Sequence, residues 1–246
     1  MNKNELTGKV AIVTGAGQGM GKAIALLLAS KGIKVVIADI NEVVANKVAD
    51  EIGALGVKVD VTKEDEVESM TKATLEKYGR IDILVNNAGV LRPTKIEDIS
   101  KKEWDFVLDV NLNGTFLCTK AVLKTMKENG YGRIINMSSS AGRSVSTIGG
   151  AHYTAAKAAI LGFTRAVAKE TASFGVTVNS VCPGLIDTEM VRSDCSVEQI
   201  DKYEKSFPIH RLGTPEEVAA LVLFLISDAA YITGAAIDIN GGDLMI

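Results

Sequence analysis

Short β-branched runs alternate with helix-length amphipathic segments from one end of the chain to the other, and this alternation restricts the possible architectures more than any other feature. KVAIVT (9–14), IKVVIA (33–38), VKVDV (57–61), IDILVN (81–86), RIINMS (133–138), VTVNSV (176–181) and AAIDIN (235–240) are seven candidate strands, each bounded by Gly, Asp or Asn. Several are apolar on both alternating faces, as a parallel sheet requires when helices cover both of its sides. Helical patterns fill the intervals at 22–30, 42–52, 64–78, 102–128 and 153–173. Pro215 opens another helix: Thr214 is placed to cap it, proline suits the first helical position, and Glu216 and Glu217 favour the positive end of its dipole. The pattern predicts a doubly wound α/β fold. No linker, repeat or low-complexity tract interrupts it, so residues 1–246 are read as a single domain.

Composition removes several function classes. A formal net charge of -3 over 246 residues, with the lysines scattered, gives no electrostatic case for nucleic acid or an acidic membrane surface. The longest apolar run, 218–226, has nine residues, against about 20 for a bilayer span. The opening MNKNELTGK lacks the apolar core of a signal peptide, which makes a cytoplasmic site the expectation. Cys118, Cys182 and Cys195 show no C-x-x-C spacing and are read as packing residues, forming neither a disulfide framework nor a zinc site. His152 and His210 have no ligand-spaced partners, so both are read as structural or rim residues and no metal is expected.

Directly after the first candidate strand comes TGAGQGMG, residues 14–21, followed by the helical run KAIALLLAS. Glycines at 15, 19 and 21 permit a tight turn, let backbone N–H groups approach a pyrophosphate, and allow the helix to pack close to the strand. The second strand ends at Asp39, 18 residues after Gly21, where a carboxylate accepts hydrogen bonds from ribose hydroxyls and repels a 2′-phosphate. Positions 40–42 hold no Arg or Lys, and Gln18 stands within the glycine turn. The expected cofactor is therefore NAD and not NADP.

In register along the chain stand TGAGQGMG (14–21), Asp39, Asp60-Val61, NNAG (86–89), NLNG (111–114), a serine cluster at 138–140, YTAAK (153–157), PGLIDT (183–188) and NGG (240–242). On these motifs the chain resembles the short-chain dehydrogenase/reductase family over essentially its full length, which implies a Rossmann-type single domain serving both dinucleotide binding and catalysis. Of the five tyrosines only Tyr153 is followed four residues later by a lysine, Lys157, which puts both on one helix face. The resemblance implies hydride transfer between nicotinamide and a secondary alcohol or ketone, with Tyr153 as acid–base, Lys157 beneath the phenol and on the nicotinamide ribose, and Asn111 positioning a proton-relaying water. It further implies that Gly15, Gln18, Gly19, Met20 and Gly21 hold the pyrophosphate end, Asp39 the adenosine ribose, Asp60 and Val61 the adenine, and Asn87 and Gly89 the ribose side. Thr188 would meet the carboxamide, and Ile186, Tyr153 and Lys157 complete the cofactor-binding set. It also implies a homotetramer.

Which of the three serines orients the substrate oxygen depends on the anchor. Counted from the strand, SSSAG selects Ser139; counted back thirteen residues from Tyr153, a common family spacing, the choice is Ser140. Loops absorb insertions more readily than the ends of central strands, so Ser139 is assigned. Substrate recognition is expected in 140–152 and 187–213, where no basic cluster demands a phosphorylated or carrier-bound substrate. The leading expectation is an NAD-dependent secondary alcohol dehydrogenase or ketone reductase. Its alternatives are an NADPH-dependent oxoacyl-carrier-protein reductase and a non-catalytic nucleotide-binding scaffold.

Overall fold

A computed structural model of the protein describes residues 6–227 and 229–246; the expectation drawn from the N-terminal run falls largely on residues 1–5, outside that range. Seven parallel strands form one sheet in the order β3-β2-β1-β4-β5-β6-β7. They are β1 Val10–Thr14, β2 Lys34–Asp39, β3 Leu55–Lys58, β4 Ile83–Asn86, β5 Gly132–Met137, β6 Val176–Pro183 and β7 Ala236–Ile239. Every residue of β1, β4 and β5 is buried, because helices lie on both faces. Alternate residues feed two cores: Ala11 and Val13 join Ile24, Leu28, Val222 and Leu225 on one face, while Ile12 joins Met70, Val122 and Ile134 on the other. The strand order reverses between β1 and β4, and a crevice opens there at the carboxyl ends of the strands.

The helices are α1 Gly19–Ser30, α2 Glu42–Ile52, α3 Glu64–Tyr78, α4 Lys101–Leu108, α5 Gly114–Glu128, α6 Ala151–Thr171, α7 Glu189–Asp194, α8 Val197–Ser206 and α9 Pro215–Ser227. α9 begins with the predicted cap: Thr214 Oγ1 accepts from the Glu217 N–H at 3.3 Å, and Glu217 Oε2 accepts from the Thr214 N–H at 2.9 Å. All three cysteines are free and buried. No helix among the described residues is long and apolar enough to cross a membrane.

Two sequence expectations are corrected. The strand expected at 57–61 runs instead from Leu55 to Lys58, because the Asp60 N–H turns away from the sheet to donate to Glu66 Oε2 at 2.8 Å. Val59 and Val61 still point into the core, which is what imitated a strand. The helix expected at 102–128 is broken by a π-helical turn, Asp109–Asn113, between α4 and α5. At that turn Asn111 Nδ2 donates to the carbonyls of Val107 and Val90, each at 2.9 Å, and so pins the widened turn to the loop after β4. In addition, α7 and α8 lie within 187–213, the stretch expected to recognise substrate, which the sequence reading did not divide into helices. The Ser196-x-x-Gln199 capping box that starts α8 is legible in the sequence and was the available signal.

Candidate active site

The crevice starts at the glycine turn. Gly15 and Gly19 have φ of +61° and +52°, a region that side-chain-bearing residues rarely adopt, and a Cβ on Gly21 would overlap the Gly15 carbonyl oxygen. Asn87 clasps this turn to the end of β4: its Nδ2 donates to the carbonyls of Thr14 and Gly15 at 3.0 Å, and Thr14 Oγ1 accepts from its N–H at 3.0 Å. Gln18 caps α1 without a side-chain hydrogen bond, so the first N–H groups of α1 stay available to an anion in the crevice. Gly17, which sequence reasoning passed over, donates its N–H to Asp39 Oδ2 at 2.9 Å, and Asn41 donates to Asp39 Oδ1 at 3.0 Å. The carboxylate is thus fixed by two backbone amides at the mouth of the crevice.

The cleft has a volume of about 420 Å³ and is lined by Gly15, Gln18, Gly19, Met20, Asp39, Asp60, Val61, Asn87, Gly89 and Thr188 among the expected residues. Ile40, Thr62, Phe106 and Asp109 also line it and were not singled out from the sequence, as do Glu189 and Met190 from the stretch expected to recognise substrate. Among the described residues, no lysine or arginine lines this cleft. Asp60 spends Oδ1 on Thr62, accepting from its N–H at 3.0 Å and its hydroxyl at 2.7 Å, so it caps the local turn as well as walling the cleft. Val61 packs against Gly114, where a Cβ would be 2.6 Å from Val61 Cγ2. Gly21 is a packing residue of the turn. Ile186 pairs with Gly213 in an isolated bridge and lies, with Tyr153, in an adjoining recess of about 80 Å³.

That recess holds the serine–tyrosine pair. Tyr153 comes from α6 and Ser139 from just beyond β5; burial pushes the Tyr153 phenol above its ordinary value, and the Ser139 hydroxyl works the other way. All three serines border the recess, but they face differently. Ser138 Oγ donates to the Lys157 carbonyl at 2.8 Å and is buried, whereas Ser140 opens a 3₁₀ turn, Ser140–Gly142. Ser139 Oγ accepts from the Ala141 N–H at 3.1 Å, which holds the hydroxyl beside the phenol.

Lys157 is 5% exposed, its Nζ donates to the Met137 carbonyl at 2.8 Å, and it lies 5.6 Å from the Tyr153 ring centroid. Burial lowers its pKa to about 8. Asn111 is fully buried, and its Oδ1 has no hydrogen-bond partner among the described residues. A Cβ on Gly89 would be 2.8 Å from Asn111 Oδ1 and 3.5 Å from Lys157 Nζ, so both polar groups border the space that this glycine leaves open. An orphaned amide oxygen, a buried ammonium and a cleft cradled by glycines are a fit to a polyhydroxylated dinucleotide.

A family model described as enoyl-(acyl carrier protein) reductase matches residues 15–243. The chain is 47% identical over 248 residues to the 3-oxoacyl-(acyl-carrier-protein) reductase of Synechocystis sp., with 98% of each chain covered. It is 44% identical over 244 residues to the 3-oxoacyl-(acyl-carrier-protein) reductase of Vibrio cholerae, covering 98% of this chain and 99% of the other. A short-chain type dehydrogenase/reductase from Mycobacterium marinum superposes with a TM-score of 0.92 at 37% identity over 96% of each chain. The chain belongs to the short-chain dehydrogenase/reductase family, and is an oxidoreductase that uses a nicotinamide dinucleotide.

The directions of the serines generate a test. Ser139→Ala is expected to lower turnover by about 100-fold in steady-state assays, the scale of losing one donor to a developing oxyanion. Ser140→Ala should change turnover little, and Ser138→Ala should cost about 1 kcal/mol of stability with little change in turnover. Equal losses for Ser139→Ala and Ser140→Ala would contradict this arrangement.

Proposed function

We propose that the protein reduces the ketone of a 3-oxoacyl thioester to the 3-hydroxy product with NADH. The near full-length identity to proteins named 3-oxoacyl-(acyl-carrier-protein) reductases carries the choice of substrate, and favours it over the free secondary alcohol expected from sequence. The two are one chemistry, since a 3-oxo group is a ketone that becomes a secondary alcohol. For the dinucleotide, Asp39 supports NADH: its carboxylate is held at the cleft, and no cation among the described lining residues offsets a 2′-phosphate. The same reading carries a cytoplasmic homotetramer, on family resemblance.

In this reading the amides at the start of α1 and the turn residues Gly15, Gln18, Gly19 and Met20 take the pyrophosphate, while Asp60 and Val61 take the adenine. Asn87 and Gly89 let the chain lie close to a ribose, and Ile186 and Thr188 flank the carboxamide. The bound dinucleotide supplies the hydride. Ser139 donates its hydroxyl to the substrate carbonyl oxygen, and Tyr153 delivers a proton to that oxygen as charge develops. Burial keeps the phenol neutral at ordinary pH, the form that a reductase needs of its acid. The Lys157 ammonium stabilises the phenolate left behind, and Asn111 Oδ1 holds a water that relays the replacement proton through Lys157.

Turnover of acetoacetyl thioesters, on coenzyme A and on acyl carrier protein, with NADH and with NADPH tests the proposal against a panel of simple secondary alcohols with NAD. NADH should be preferred by at least about tenfold in kcat/KM, the effect of placing like charges together. Asp39→Ala with Ile40→Arg should narrow or reverse that preference. Faster oxidation of simple alcohols would favour the free-alcohol reading, equal use of NADPH would remove the role given to Asp39, and no turnover at all would favour a non-catalytic scaffold.

The lowered pKa of Lys157 sets a pH limb. Only the ammonium form stabilises phenolate, and it is lost above about 8, earlier than from an ordinary lysine. The reduction rate is therefore expected to fall by about tenfold per pH unit above that point. A pH–rate profile that stays level through that range would contradict the role of Lys157.

A further inference from the structure

His152 precedes the tyrosine of the active site and is fully buried. The first N–H groups of a helix have no partner within it, and a cap side chain normally satisfies one of them. Here the residue before α6 is Gly150, which has no side chain to offer. A larger residue does not fit there, because a Cβ on Gly150 would overlap the Thr94 carbonyl oxygen. The vacant role is filled from inside the helix: His152 Nδ1 accepts from the N–H of Tyr153 at 3.0 Å.

An imidazole nitrogen that accepts a hydrogen bond carries no proton, so Nε2 must carry it. Nε2 lies 3.0 Å from Glu103 Oε1 on α4, where its N–H donates to the carboxylate. The carboxylate thereby holds the tautomer that makes Nδ1 an acceptor, as a partner on one ring nitrogen does for the other. The Trp104 ring packs beside the imidazole at 6.5 Å between centroids, inclined by 30°. The Glu103 carboxyl is held below the ordinary range, first by the Thr94 side chain and then by His152, with Arg92 adding a smaller effect. The Arg92 carbonyl in turn accepts the Gly150 N–H at 2.8 Å.

This chain of bonds joins two helices that matter. α4 leads directly into the π-helical turn carrying Asn111, and α6 carries Tyr153 and Lys157. From this geometry we infer that Glu103 and His152 are positioning residues that set where the Tyr153 hydroxyl stands relative to Asn111 and Ser139. Neither touches substrate or dinucleotide; they act through the backbone amide of Tyr153 and through the spacing of α4 and α6. The inference rests on the reading of Tyr153 as the proton donor.

The test compares His152→Leu, His152→Asn and Glu103→Gln in the full chain, with kcat, substrate KM, NADH affinity and thermal unfolding measured for each. Leucine fills the space without an acceptor, whereas the asparagine side-chain oxygen can accept from the Tyr153 N–H. His152→Leu is expected to lower kcat by about 10- to 100-fold, the scale set by a displaced catalytic group, with NADH affinity within about twofold of the parent. His152→Asn should recover most of the loss. In combination, Glu103→Gln should add little to His152→Leu, since the two act as a unit. Unchanged kcat in folded His152→Leu, or equal losses for Leu and Asn, would overturn the inference. If His152→Leu does not fold, Glu103→Leu takes its place, with a lowered kcat expected and an unchanged kcat overturning it. Failure of the parent protein to turn over any ketone would instead be a failure of the proposed function.

Discussion

The Lys157 ammonium lies in a nearly dry site, where its Nζ donates to the Met137 carbonyl at the end of β5 and burial brings its pKa down to about 8. Removing an ammonium from water is costly unless fixed dipoles replace the solvent. The Met137 carbonyl is such a dipole, and the helix that carries Lys157 is tied to the same strand end. Ser138 ties the Lys157 carbonyl to the strand end, and Gly142 lets the serine turn approach that same carbonyl, where a Cβ would be 2.6 Å away. On the other side, Gly89 leaves room between Lys157 and Asn111, whose amide nitrogen is committed to Val90 and Val107 and whose oxygen is not. The π-helical turn at Asp109–Asn113 is the local distortion that carries Asn111.

The dinucleotide cleft is built on a separate principle. It uses the reversal of strand order at β1 and β4, where chain ends diverge, and the clasp of Asn87 on Thr14 and Gly15 keeps that divergence in register. Backbone amides and the α1 terminus provide the positive end, so the cleft wall carries acids at Asp39, Asp60, Asp109 and Glu189 without a lining cation among the described residues. Substrate reduction and dinucleotide choice are therefore separable. In the proposed reading, substrate chemistry belongs to the recess around Tyr153 and dinucleotide choice to Asp39 in the adjoining cleft.

Local rules made much of this legible in the sequence. The glycine turn, the i,i+4 pairing of Tyr153 with Lys157 and the Thr214 cap are short-range patterns, and each stands where its spacing implies. The strand anchor selected Ser139, which stands just beyond β5 in the recess with Tyr153, because a strand end is held by neighbours on both sides while the following loop can take an extra residue. Several of the misses involve bonds that no short-range pattern announces. Asp60 donating to Glu66 ends β3, Asn111 bonding to Val90 breaks the long helix, and Gly17 bonding to Asp39 makes that glycine a partner of the carboxylate. His152, expected to be structural or at the rim, bonds to Glu103 49 residues away, which no local pattern reveals.

The central claim is that Tyr153 supplies the proton while other groups hold the dinucleotide, and Tyr153→Phe separates these roles most directly. Phenylalanine keeps the ring above Lys157 and removes only the hydroxyl. NADH affinity, followed by its fluorescence, should remain within about threefold of the parent, while single-turnover reduction of an acetoacetyl thioester should slow by about 100- to 10,000-fold. Retention of most of the single-turnover rate in Tyr153→Phe would contradict the account, because the proton would then come from another group.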